Sequence, residues 1–188
     1  VNWSEDGETL YAQRQNREQT VLDILTADPA TGEAEVVLTE TVETWINLRG
    51  DFTALEDGGF LWLSERTGFR HIYRYGADGE AVQITSGEWV VDEIAGVDEA
   101  SGVVWFEGWT QTPLERHLYR TRLDGVQAPE RLAPPGGWCS ANVGSGGTGF
   151  IATCSNPDTP PQTALYGPDG ERRVWIEENA LDETHPYA

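Results

Sequence analysis

Ser145 lies between glycines, in Gly144-Ser145-Gly146-Gly147, and is the first residue of this sequence to test for chemistry. A serine nucleophile at a strand-to-helix elbow needs glycine two residues before it and two residues after it, so that the chain can turn sharply. Val143 occupies the first of those places, and no other serine has both glycines. The segment therefore reads as a turn between strands. Glu177 and Glu178 form an acidic pair that reads as a solvated strand end. His71, His117 and His185 are spread along the chain, whereas tetrahedral zinc demands clustered ligands. The aspartates fall in turns without the spacing of a calcium loop. No metal and no cofactor are expected. Cys139 and Cys154 stand 15 residues apart with no CxxC redox motif. They pair if the protein is exported and stay as buried thiols if it is not.

Other polar and aromatic residues read as architecture. Ser64-Glu65-Arg66-Thr67-Gly68 is expected to end one strand and begin a turn, with Gly68 taking an unusual backbone angle and the polar side chains forming a network. Glu107 and Gly108 are expected at the same place in a later copy of the pattern. Trp62 and Trp105 alternate with apolar neighbours and belong in a core, while Trp109 follows its strand and is placed for exposure. Tyr73 and Tyr119 hold equivalent positions, as do His71 and His117.

Those equivalences come from a repeat. The segments TVLDILTADPATGE, FRHIYRYGADGE, ERHLYRTRLDGV and TALYGPDGE place turn glycines at Gly32, Gly79, Gly125 and Gly170, at steps of 47, 46 and 45 residues. A repeat of that length made of short strands is one supersecondary unit copied several times. Asp-Gly between alternating segments signals a hairpin, because glycine takes positive φ without steric cost. Strands are expected at 10–15, 21–28 and 34–39, then at 60–65, 71–76 and 81–85. Others follow at 103–109, 117–123 and 130–133, then at 150–155, 164–167 and 172–177. Leading strands at 44–48, 89–97 and 138–144 open on Trp45, Trp89 and Trp138. Each complete unit then has four antiparallel strands, which is the form of a β-propeller blade. The expected fold is all-β: a partial propeller of about three complete blades plus a first one lacking its leading strand. Blades are placed at about 1–40, 41–86, 87–134 and 135–178, with 179–188 as a linker. A β-sandwich built from the same strands is the alternative.

Composition narrows the function. The chain has 188 residues, 38% of them hydrophobic, with eight Trp, six Tyr and five Phe, enough for a core rich in aromatic rings. Lys and Arg number 12 against 32 Asp and Glu, a formal charge of -20. Such a surface repels nucleic acid and anionic membranes. No run approaches the ~18 apolar residues of a membrane helix. The chain begins at Val1 and contains no Met, which suggests a piece of a longer protein.

The stretch WINLRGDFTALEDGGFLWLSERTGFRHIYRY (45–75) resembles the propeller of dipeptidyl peptidase IV enzymes, serine peptidases of the prolyl oligopeptidase superfamily. The similarity runs on through ITSGEWVVDEI (84–94), VWFEGWTQTPLERHLYR (104–120) and ENALDETHPYA (178–188), and covers essentially the whole chain. The resemblance implies the second half of an eight-bladed propeller that caps an α/β-hydrolase domain carrying a Ser-Asp-His triad. It implies an enzyme that releases X-Pro or X-Ala dipeptides from peptide N-termini. This chain would itself be non-catalytic; it would shape the substrate chamber and support the hydrolase. It implies that the loop Asn47-Leu48-Arg49 lies near the substrate pocket, with a turn ion pair from Arg49 to Asp51 as the plainer reading. The family's paired glutamates for the substrate ammonium have no counterpart here. Family members from oxidising compartments often carry a disulfide in the blade holding Cys139 and Cys154, which implies a structural bridge and a periplasmic or secreted parent, with a cytoplasmic one as the alternative. Blade edges left open invite self-association. The competing function is a stand-alone binding or scaffold module with a propeller-like fold.

Overall fold

The computed structural model describes residues 1–4, 6–48, 50, 52–132 and 136–180. Among the described residues, sixteen strands form four separate antiparallel sheets, each of four strands in sequential order, as in propeller blades. The chain divides into two compact units, Val1–Gln83 and Ile84–Ala188, with two sheets in each. The first unit holds β1 (Asn2–Trp3), β2 (Leu10–Gln15), β3 (Val21–Ala27) and β4 (Ala34–Thr41). Its second sheet is β5 (Phe52–Ala54), β6 (Phe60–Ser64), β7 (His71–Tyr75) and β8 (Ala81–Gln83). The second unit holds β9 (Val90–Asp98), β10 (Val103–Trp109), β11 (His117–Arg122) and β12 (Glu130–Arg131). Its last sheet is β13 (Trp138–Val143), β14 (Phe150–Asn156), β15 (Thr159–Tyr166) and β16 (Arg172–Glu177).

The Asp-Gly turns close the hairpins as the sequence suggests. Gly79 N–H donates to Gly76 O, Gly125 N–H to Arg122 O, and Gly170 N–H to Gly167 O, at 2.9, 3.1 and 3.0 Å. The three glycines have φ of 81, 70 and 81°, the left-handed region that a side chain resists. Each turn aspartate then accepts the N–H two residues on, from Glu80, Val126 and Glu171. This is the three-residue hairpin loop, a type I turn closed by one left-handed residue.

The structure departs from the sequence reading in four places. The first sheet does have its leading strand, the two-residue β1, paired Asn2 to Tyr11 and Trp3 to Leu10. It is too short to show a period of its own. The run Thr44–Leu48 is not a strand; the second sheet opens instead with β5, after it. Ile46 N–H donates to Gln19 O at 2.7 Å and Ile46 O accepts from the Gln15 side chain at 2.8 Å. The apolar run thus docks on the first sheet. Third, β15 is longer than the segment 164–167, because Thr159-Pro160-Pro161 extends it beyond a bulge at Cys154–Asn156. Proline is tolerated at a strand's start, where its missing N–H breaks no central ladder bond. Fourth, Glu107 does not share the place of Ser64 and Glu65. Ser64 pairs with His71, whereas Gly108 pairs with the equivalent His117 and Glu107 with Leu118. A slip of one residue sends a side chain to the opposite face.

Each unit has its own core. In the first, Tyr11 meets Phe52, Phe52 stacks on Phe60 and Phe60 on Tyr75, with centroids 4.8, 5.2 and 4.8 Å apart, so the aromatic chain crosses from one sheet to the next. Tyr73 and Trp62 are buried in the same cluster. In the second unit, Ala141, Ala152 and Ala164 stand directly opposite one another across β13, β14 and β15. Three small residues in a row leave room for Trp105 and Leu118 of the preceding sheet, which are buried against them. Gly147, in the 3-10 turn Ser145–Gly147, completes that seat: a Cβ there would overlap the six-membered ring of Trp105. Ser145 is therefore part of a turn that accommodates a core tryptophan. Tyr119 is buried and stacks with Phe106 at 5.5 Å.

Candidate functional site

Glu40 is a carboxyl group on a face that ought to be apolar. In β4, Leu38 pairs with Ile24 and Glu40 with Leu22, and both β3 partners are wholly buried. Alternation therefore carries Glu40 inward, to 7% exposure. There the Trp62 indole N–H donates to its Oε2 at 2.6 Å, and the Ser64 hydroxyl donates to Oε1. Arg66 donates through Nε to Ser64 Oγ at 2.9 Å and through NH1 to the Tyr75 hydroxyl at 2.7 Å. Its guanidinium lies over the Tyr73 ring, 4.3 Å from the centroid, and 3.8 Å from Glu40 Oε2. The turn behind this network closes with Gly68 N–H donating to Glu65 O at 2.8 Å, Gly68 having φ of 94°.

A small pocket opens beside the network, lined by Glu40, Trp45, Asn47, Ser64, Glu65 and Arg70 among others. Asn47 is at its wall. Leu48 is 47% exposed and is not among the lining residues, and Arg49 and Asp51 lie outside the described residues. The pocket sets carboxyl groups beside amide and guanidinium donors. It is not suited to nucleophilic attack from Ser64, whose hydroxyl is engaged by Glu40 and is 2% exposed as a residue. Among the described residues no group of three or more His, Cys, Asp or Glu could hold a metal ion. Glu40 and Arg70 escape motif reading. The signal for Glu40 was its place two residues after Leu38 on one strand face.

A second buried carboxyl group organises the other unit. Glu107, 3% exposed, accepts from the Ala141 N–H through Oε1 at 2.5 Å. Arg116 NH2 lies 2.9 Å from Glu107 Oε2, near enough for an ion pair but off the line of a hydrogen bond. Arg116 also donates to Asp92 Oδ2 at 2.6 Å and to Cys139 O at 3.0 Å. It stacks over Trp138, 5.2 Å from the ring. Main-chain bonds join the same segments, Arg116 N–H to Gly137 O and Cys139 N–H to Arg116 O. Cys139 and Cys154 pair directly across β13 and β14 and form a disulfide. Trp109 sits 6.2 Å from Trp138, and Trp138 is 44% exposed.

Burial pushes the Glu107 carboxyl above the usual carboxylate range, against the Ala141 hydrogen bond and the Arg116 charge, with Glu93 and Asp92 pushing the same way as burial. A raised folded-state value means that the folded chain holds this proton longer than the unfolded chain. Stability from this group is complete below the unfolded value of about 4.3 and falls as pH rises through the folded value. Glu107→Gln keeps an oxygen for the Ala141 N–H and removes the titration. In urea melts between about pH 4 and about pH 8, the variant should gain on the parent chain as pH rises and then level off. A difference that stays flat, or shrinks with pH, would contradict this assignment.

The sheets define a propeller-blade protein with a pocket at one sheet joint. The model of the dipeptidyl peptidase IV N-terminal region matches residues 1–161, and the chain belongs to that family. It is 28% identical over 95% of its length to a probable dipeptidyl-aminopeptidase B of Aspergillus clavatus, covering 21% of that protein. It is 32% identical over 70% of its length to mouse dipeptidyl peptidase 8, covering 18% of it. The crystal structure of Porphyromonas gingivalis dipeptidyl peptidase 4 superposes with a TM-score of 0.87 at 25% identity, over 95% of this chain and 26% of that one. The chain thus spans about a fifth of the length of the curated relatives it matches.

Proposed function

We propose that this chain is a non-catalytic propeller segment of a dipeptidyl peptidase IV-like serine exopeptidase that releases X-Pro or X-Ala dipeptides. In that reading it walls the substrate chamber and supports a partner α/β-hydrolase domain, which supplies the serine nucleophile, its histidine base and the oxyanion hole. The observation that carries the proposal is the pocket of the first unit, where Asn47 stands beside Glu40, Glu65 and Arg70 within a family-matched segment. The Cys139–Cys154 bridge supports an exported parent, since such bonds persist in oxidising compartments.

The test is the product of the complete reading frame, assayed with chromogenic X-Pro substrates. Dipeptide release is expected. Asn47→Ala should raise KM by about fivefold to tenfold with kcat little changed, the size of one lost hydrogen bond to bound substrate. Failure to release X-Pro dipeptides would return the chain to a stand-alone binding module. An unchanged KM would remove Asn47 from the chamber while leaving the activity standing.

A further inference from the structure

The last sheet carries its disulfide asymmetrically. Cys139 is 1% exposed, packed on the face shared with Ala141, Ala152 and Ala164. Cys154 is only partly buried and lines an open groove with Asn156, Gln162, Arg172 and Trp175. Thiol–disulfide exchange depends on which sulfur an incoming thiolate can reach. Of the two, Cys154 is the more accessible residue: it lines the groove, and Cys139 does not. The groove also offers charge: the Arg172 guanidinium lies over the Trp175 ring, 4.0 Å from its centroid, within a chain of formal charge -20. Arg172 is the cationic side chain among the groove's lining residues, and it offers a carboxylate a local partner against the repulsion of the acidic chain as a whole.

We propose that Cys154 is a thiol-exchange site for small anionic thiols of the glutathione class, with Arg172 as the residue that receives their carboxylate. The incoming thiolate attacks Cys154 Sγ and forms a new S–S bond to it. The Cys139–Cys154 bond breaks, its electron pair leaves on Cys139 Sγ, and that thiolate takes a proton from solvent. A second thiolate attacks the glutathione sulfur of the mixed disulfide, releasing oxidised glutathione and the Cys154 thiolate. Two small thiols are oxidised and one protein disulfide is reduced. The exchange has a structural consequence. The bridge ties β13 to β14, and β13 is the strand gripped by Arg116 and Glu107. The hold of β13 on the rest of its own sheet then depends on the ambient thiol.

The experiment treats the folded, oxidised chain with reduced glutathione or with neutral 2-mercaptoethanol at low ionic strength. Samples are quenched in acid, alkylated and read by peptide mass. The expected first product carries glutathione on Cys154 and a free, alkylatable Cys139. Arg172→Gln should slow glutathione exchange about threefold to fivefold and leave 2-mercaptoethanol unaffected, with Arg172→Lys close to the parent rate, since surface charge attraction of this kind is screened by salt. Three results overturn the proposal: exchange only after denaturant is added, glutathione found first on Cys139, or Arg172→Gln acting equally on both thiols or on neither.

Discussion

Arg116→Ala is expected to destabilise the second unit by about 3–5 kcal/mol, the cost of removing one partner from a buried ion pair. The side chain is 15% exposed, and it faces Asp92 and Glu107, which are 20% and 5% exposed as side chains. Without it Glu107, already held above its ordinary titration range by burial, loses the Arg116 charge and keeps the acidic neighbours Glu93 and Asp92. The Cys139 carbonyl loses a donor at 3.0 Å, and Trp138 loses the cation over its ring. An exposed pair gives the scale for comparison. Arg14, 63% exposed, pairs with Asp23, and its removal should cost at most about 1 kcal/mol. Arg116→Lys should recover only part of the loss, because an ammonium cannot serve Asp92, Glu107 and the Cys139 carbonyl with a planar fork. Urea unfolding followed by tryptophan fluorescence measures all three. A cost for Arg116→Ala as small as that of Arg14→Ala would show that the network is ornamental to the joint.

Much of this architecture can be read in the sequence, because hairpin turns are written locally. Asp78-Gly79, Asp124-Gly125 and Asp169-Gly170 impose the same backbone by the same steric rule, and their spacing declares the repeat. The joints between neighbouring sheets are written non-locally. In one unit Glu40 reaches from β4 to the Trp62 and Ser64 side chains of β6; in the other Glu107 reaches from β10 to a main-chain N–H of β13. The two carboxyl groups do the same work from non-equivalent places in the repeat, so matching one copy against the next does not find them. Thr44–Leu48 misleads for a related reason. It has the composition of a strand, yet its main-chain groups bond to Gln19 O in the turn between β2 and β3 and to the Gln15 side chain of β2. That departure frees Asn47 to line the pocket instead of lying in a ladder.

Glu40→Ala is expected to cost the first unit about 3 kcal/mol, because it strands two buried donors at once. Trp62 is 1% exposed and Ser64 is 2% exposed, so water cannot easily replace the lost acceptor. The two donors differ in what they can do next. The serine hydroxyl can rotate, and its oxygen already accepts from Arg66 Nε at 2.9 Å. The indole N–H is fixed in the plane of a ring packed in the core and can only donate. Glu40→Gln should therefore be milder, about 1 kcal/mol, with its oxygen turned toward Trp62 and its amide toward Ser64. Trp62→Phe removes the stranded donor, so it should hurt less in the Glu40→Ala background than in the parent chain. A double-mutant cycle on Glu40 and Trp62 should give a coupling of about 1–3 kcal/mol. Additive costs would mean that Glu40 acts by filling space and not by accepting the indole proton. Equal costs for the alanine and glutamine variants would place its contribution in charge, set toward Arg66 at 3.8 Å.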